Sequence, residues 1–244
     1  MMEIVFTVNG LTVKARYDEW DVEHTFKPLV RRWQDLQKKK QRRIFVFLAA
    51  PPGCGKTILS LFLEHLSTQS NKEMIQAIGM DGFHYPNAYL ESHTYLENGN
   101  AYPLKQRKGG SDTFDVEALK QKIIKGRTMD NLWPIYSRQI HDVMEDQIRL
   151  KQKIILIEGN YLLLNAGKWN SLITYCDDSV FVSAQEGELR QRLIERKIAG
   201  GSDPKEALDF YEQSDHRNVI QVLTQHHEAN VELVMSDHRF MKKE

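Results

Sequence analysis

Ile44-Phe45-Val46-Phe47-Leu48-Ala49-Ala50-Pro51-Pro52-Gly53-Cys54-Gly55-Lys56-Thr57 is the stretch that decides the fold. Its first six residues are apolar without alternation, the pattern of a strand covered on both faces. Ala50–Thr57 then fits the phosphate-loop pattern, with Ala50 where the first glycine usually stands. Ile58, Leu59, Leu61, Phe62 and Leu66 follow at helical spacings, so a helix is expected from Lys56 to about Ser67. Strand, small-residue loop and helix in that order make an anion cradle: backbone N–H groups curl around phosphates and the helix adds its positive end. Pro52, Gly53, Cys54, Gly55, Lys56, Thr57 and Ile58 are therefore the expected nucleotide contacts. Lys56 would neutralise β/γ oxygens, and the Thr57 hydroxyl is placed for Mg²⁺.

Working outward, residues 3–17 read as a hairpin. Ile4, Phe6 and Val8 alternate with polar partners, Asn9-Gly10 supplies a type I′ turn, and Leu11, Val13 and Ala15 resume the alternation. A helix is expected from Trp20 to about Lys40. A second strand over about 74–80 ends at Asp81-Gly82-Phe83, and residues 84–113 read as a long functional loop with short helical pieces. Further on come a helix from Asp115 to about Lys125, a buried strand Ile154–Ile157 ending at Glu158, and a strand Ser179–Ser183. A helix over about 186–198 is broken by Gly200-Gly201 and resumes near Pro204; Val231–Met235 reads as the last strand. Strands alternating with helices predict an α/β fold with three layers and a mostly parallel sheet. The expected division is a hairpin-and-helix appendage over 1–42 and a main domain over 43–244, with a lid at about 186–204.

The charge balance narrows the partners. Among 244 residues, 33 Lys and Arg meet 33 Asp and Glu, which excludes a chain-wide basic surface for nucleic acid. The run Lys38-Lys39-Lys40-Gln41-Arg42-Arg43 is read as a solvated helix end. A hydrophobic share of 41% with 27% charge is that of a globular chain with a real core. No stretch approaches the ~20 apolar residues of a membrane span, and Met1-Met2-Glu3-Ile4 lacks the basic start of a signal peptide. Cys54 and Cys176 are the two cysteines, neither at metal-ligand spacing, which argues against a disulfide framework and for a reducing cytoplasm. Trp133 and Trp169 read as packing anchors and His226-His227 as surface histidines. The oligomeric state stays open, a homodimer included.

Two carboxylates say what the cradle is for. Asp81 ends the second strand, at the sheet edge where ligands gather, and a carboxylate there can take the proton of an attacking hydroxyl. Glu158 ends the strand Ile154–Ile157 and is placed to hold Mg²⁺ directly or through water.

Several ordered motifs then carry a resemblance. Beside Ala50–Thr57 they are Met80-Asp81-Gly82-Phe83-His84-Tyr85-Pro86-Asn87, Lys108-Gly109-Gly110 with Thr113-Phe114-Asp115, and Pro134-Ile135-Tyr136-Ser137-Arg138 with His141-Asp142. They continue with Ile157-Glu158-Gly159-Asn160-Tyr161 and the arginines of Leu189–Lys197. From about Ile44 to Met235 the chain resembles the phosphoribulokinase/uridine kinase/pantothenate kinase group of P-loop kinases, in particular bacterial members known only as nucleoside- or sugar-kinase-like. The resemblance implies ATP and Mg²⁺ as cofactors, a small-molecule hydroxyl as acceptor, Asp81 as catalytic base, and Arg192 and Arg196 on a lid over the nucleotide. It implies substrate contacts at His84, Tyr85, Lys108, Tyr136, Arg138, His141 and Asn218. Where pantothenate kinases carry a histidine and a tyrosine, this chain has Arg138 and His141. The extra cation favours a sugar, sugar phosphate or nucleoside over pantothenate. A pantothenate-type kinase and a nucleotide-binding regulator that transfers phosphate only to water are the alternatives.

Overall fold

The computed structural model describes residues 1–8, 11–70, 72–236 and 239–243. Strands β1 (Met2–Val8) and β2 (Leu11–Tyr17) pair antiparallel, in register from Met2 opposite Tyr17 to Val8 opposite Leu11. The expected Asn9-Gly10 turn between them lies outside the described residues. The helical stretch that follows is not uniform. A short α1 (Glu19–Asp21) passes through a π-helical turn (Val22–Phe26) into α2 (Lys27–Lys40). Pro28, in the first turn of α2, has no N–H to give, and the π-helical turn lies directly before it.

Next come β3 (Ile44–Ala49), α3 (Lys56–Thr68), β4 (Ile75–Gly79), α4 (Asn87–Ser92) and a second hairpin, β5 (Thr94–Glu97) with β6 (Asn100–Pro103). After α5 (Val116–Gly126), a third hairpin pairs β7 (Leu132–Ser137) with β8 (Asp142–Arg149). The chain ends with β9 (Ile154–Gly159), β10 (Asp178–Ser183), α6 (Glu186–Ala199), α7 (Pro204–Phe210), α8 (His216–Thr224), β11 (Val231–Ser236) and β12 (Arg239–Lys242). Two expectations need correction. Residues 84–113 are not one loop with helical pieces but contain the β5–β6 hairpin. Val231–Ser236 is not the last strand, because β12 turns back antiparallel on it.

The main sheet has the order β12-β11-β10-β3-β9-β4, parallel except for β12. Its central strands are apolar on both faces because both faces are covered. Ile44, Val46 and Leu48 enter one core with α2, α3 and the first hairpin's root. Phe45, Phe47 and Ala49 enter a second core with α5, Trp133 and Trp169. The fold is thus the three-layer α/β arrangement expected. Residues 1–40 share the first core: Phe26 and Trp33 are fully buried in it, and Tyr17 stacks on Phe62 at 4.1 Å. No helix among the described residues is long and apolar enough to cross a membrane.

The basic run is not simply a solvated helix end. Gln41 closes α2 at φ 51°, and beyond it the chain's cations turn inward. Asp177, its side chain 2% exposed, receives Lys40 at 2.9 Å, Arg42 at 2.6 Å and Arg127 at 3.2 Å, and accepts the Phe45 N–H at 3.0 Å. Arg43 donates to the carbonyls of Gln152 and Gly126, both at 2.8 Å. The run therefore fastens the start of β3 to the start of β10.

Burial alone would raise the Asp177 pKa, but hydrogen bonds from Arg42, Lys40 and the Phe45 N–H, with the charge of Arg127, lower it from 3.8 to about 2. A depressed carboxylate stabilises the fold above its unfolded pKa and loses that contribution as pH falls through the folded one. Asp177→Asn is expected to cost about 3 kcal/mol at pH 7, since it removes the one buried carboxylate on which three partly exposed cations converge. In urea titrations about 2 kcal/mol of the gap between parent and variant should vanish between pH 4 and 2. A gap that does not change with pH would contradict this.

Candidate active site

The site stands where β3, β9 and β4 end side by side. Leu48 of β3 and Gly79 of β4 both pair with Glu158 of β9, and Met80 donates its N–H to the Glu158 carbonyl at 2.9 Å. The parallel register thus brings the phosphate loop, Glu158 and Asp81 to one edge. Two glycines permit the closeness. A Cβ on Gly159 would lie 2.2 Å from the Met80 sulfur, and one on Gly82 would lie 2.2 Å from the Pro134 carbonyl. Asp81-Gly82 is thereby pressed under β7, and the indole N–H of Trp133 donates to the Gly79 carbonyl at 2.8 Å. Trp133 and Trp169 are buried anchors, as expected from the sequence.

In the loop itself Gly53 (φ 89°) and Gly55 (φ 74°) hold left-handed conformations that disfavour side chains. Ala50 is buried and has no positive φ, so the missing first glycine costs nothing. Gly55 precedes α3, whose free N–H groups face the cavity end of the sheet. Cys54 points into the first core, its thiol 3.7 Å from the Val182 carbonyl, and burial pushes its pKa up to about 12. It is a packing residue and not a reactive thiol.

Lys56, Thr57, Asp81, Glu158, Arg192 and Arg196 line one cavity of about 480 Å³, together with Gly53, Gly55 and Ile58 of the loop and Tyr136 and Arg138 of the third hairpin. The Thr57 hydroxyl donates to the Glu158 carboxylate at 2.8 Å. Burial raises the Glu158 pKa; Lys56 opposes this, the nearby Asp81 charge adds to it, and the Thr57 hydrogen bond opposes it, leaving a value of about 6. One hydroxyl and one carboxylate are oxygen donors too few to cage a metal alone. They fit Mg²⁺, which keeps several waters and takes its remaining ligands from phosphates.

Three cations of the cavity, Lys56, Arg138 and Arg196, have no carboxylate partner within ion-pair distance among the described residues. Arg192 is held by Glu188 at 2.6 Å. Partial desolvation lowers the Arg196 pKa; Asp215 opposes this, Arg138 adds to it and Asp81 opposes it. An open glycine cradle with unpaired cations around it suits a polyphosphate.

Other expected contacts lie elsewhere. The Pro52 side chain is buried outside the cavity lining. His84 packs on Phe114 with ring centres 3.8 Å apart, and its Nδ1 sits 2.8 Å from the Asp81 carbonyl. Tyr85 lines a separate pocket with Asp115 and Lys168. Lys108 donates to Asn87 at 2.6 Å and to the His141 carbonyl at 2.7 Å, while lying 4.9 Å over the Tyr136 ring. His141, at φ 52°, serves through that carbonyl. Asn218 is buried in a small pocket beside Gly110 and Ser111. None of these residues lines the cavity; Lys108 and His141 instead tie the start of α4 to the third hairpin. Sequence reasoning missed Val8 and Val13 of the first hairpin, which do line it.

No protein-family model matches the chain. It is 40% identical over 238 residues to the uncharacterised protein YggC of Escherichia coli, across 97% of both chains. It is 26% identical over 198 residues to a pantothenate kinase of Enterococcus faecalis, across 72% of this chain and 62% of the other. Among solved structures, one described as a candidate fructose transport system kinase from Silicibacter sp. TM1040 matches with a TM-score of 0.74 and 26% identity, over 85% of this chain and 98% of that one. The chain belongs to the phosphoribulokinase/uridine kinase/pantothenate kinase group of P-loop kinases. Membership in this group of small-molecule kinases implies use of ATP.

The Glu158 environment gives a test that needs no substrate. A carboxyl whose folded pKa is raised from 4.5 to about 6 favours the fold only while protonated, and that contribution is lost as pH rises through 6. Glu158→Gln should therefore stabilise the nucleotide-free chain at pH 8 by about 2 kcal/mol and leave it unchanged near pH 4. Equal effects at both pH values in urea unfolding would contradict the buried-carboxylate account.

Proposed function

We propose that the protein is an ATP- and Mg²⁺-dependent kinase that phosphorylates a hydroxyl of a small polar metabolite, a sugar, sugar phosphate or nucleoside. The observation that carries this is the placement of the Asp81 carboxylate in the same cavity as Lys56 and the glycine cradle. A regulator that only holds nucleotide has no need of a free carboxylate at the γ-phosphate end.

In this reading the loop amides and Lys56 bind the β- and γ-phosphates. Mg²⁺, held by Thr57 and Glu158, would draw charge from the phosphate oxygens. Asp81 accepts the acceptor's hydroxyl proton as the oxygen attacks. Arg196 stabilises charge on the transferring group, and Arg192 belongs to the same lid over about 186–204, hinged at Gly200-Gly201, where Gly201 has φ 102°. Residues 43–244 make up the kinase domain, to which residues 1–42 are added.

Arg138 bears on the acceptor. It sits at the exposed end of β7 next to Tyr136, with no carboxylate partner among the described residues, which favours an acceptor bearing a phosphate or carboxylate. The name of the Silicibacter relative supports a sugar. Asn218, the contact drawn from pantothenate kinases, lies outside the cavity and lends that alternative no support.

Asp81→Asn should lower transfer by about 10²–10⁴-fold, the usual worth of a general base. Its affinity for Mg²⁺-ATP should stay within about threefold of the parent. A coupled ADP-release assay over hexoses, pentoses, their monophosphates, nucleosides and pantothenate, beside calorimetric ATP binding, checks both. Equal loss of binding and turnover would count against the assigned role.

A further inference from the structure

We infer that the N-terminal hairpin is part of the nucleotide site, where Val8 and Val13 form the apolar wall against the base and ribose of ATP. The inference rests on the donor-site reading above and concerns its far end. β1 and β2 alternate, so Met2, Ile4, Phe6, Val8, Val13, Ala15 and Tyr17 share the face turned toward the body. At the root that face is sealed by Tyr17 on Phe62. Toward the tip it outruns the core, and Val8 and Val13 emerge in the wall of the cavity.

The two cores tell which end of the cavity they occupy. Phe83 and Trp133, which support Asp81 and β7, belong to the second core. Met2, Ile4 and Phe6 pack on the first, as do Ile58 of α3 and Leu189 and Leu193 of α6. Along a phosphate loop the lysine reaches the β- and γ-phosphates, and the nucleoside hangs from the α-phosphate at the opposite end. Asp81 marks the γ end. The hairpin therefore meets the cavity at the nucleoside end, beside Ile58 and Arg192.

The chemistry there suits an aromatic base. Val8, Val13 and Ile58 are apolar, and Arg192 is pinned by Glu188 at 2.6 Å and by the Met235 sulfur at 3.3 Å. A guanidinium fixed in this way is a planar surface for stacking.

Titration calorimetry with ATP and with inorganic tripolyphosphate tests this, because tripolyphosphate needs the cradle and not the wall. Val8→Ser/Val13→Ser should weaken ATP binding at least about tenfold and leave tripolyphosphate within twofold. Val5→Ser, on the outward face of the same hairpin, should change neither. Parallel weakening of both ligands would overturn the inference, since the hairpin would then merely brace the fold. Unchanged ATP affinity would overturn it as well. A parent chain that binds neither ligand would overturn the donor-site reading beneath it.

Discussion

The hydrogen bond from the Thr57 hydroxyl to the buried Glu158 carboxylate joins the start of α3 to the end of β9, and the site is arranged around it. It requires β3 and β9 to be neighbours in parallel register, which pairs Leu48 with Glu158. That pairing is secured by unbroken apolar strands whose alternate residues enter two different cores. β4 on the other side of β9 then delivers Asp81, and the bare Cα atoms of Gly159 and Gly82 let Met80 and Pro134 close in. A carboxylate placed so deep is costly to ionise, which is why its pKa stands near 6. The same burial would make it a strong partner for a cation carried in on phosphates. Stability is given up at the point where such a cation would be bound.

Much of this was legible in the sequence. A strand buried on both faces has to be apolar at every position, so β3 and β9 stand out without an alignment. The phosphate loop is legible because its left-handed positions need glycine, and Asp81 and Glu158 because they interrupt apolar runs at strand ends. The exposed hairpins were not. β5 and β6 have no buried residue, although Asn98-Gly99 (φ 50° and 79°) is the turn dipeptide such a hairpin needs. β12 buries Phe240 alone among its residues and offers no period to read. The motif residues Asn87, Lys108, His141 and Asp142 illustrate another limit. The resemblance marks them as candidate contacts, but only the fold shows that they satisfy one another: Asp142 accepts the Asn87 N–H at 3.1 Å, and Lys108 bridges Asn87 to His141. Polar residues look alike in sequence whether their partner is a ligand or a neighbouring loop.

The first hairpin shows the converse. Its alternation reads as core-facing along the whole length, and most of it is. The last apolar residues run past the core's edge into the cavity, and sequence carries no mark of where that edge falls. The cleft as a whole lies at the seam of the two cores. One side brings the nucleotide's cradle with the hairpin and α6, the other brings Asp81 with β7 and Arg138.

The most direct measurement follows where the γ-phosphoryl group goes. The chain would be incubated with Mg²⁺-ATP and fructose, ribose, their monophosphates or uridine, and the products read by phosphorus NMR. The account predicts a new phosphomonoester or bisphosphate resonance with at least one acceptor, growing in step with ADP. Inorganic phosphate as the sole product, formed at the same rate with and without acceptors, would contradict it.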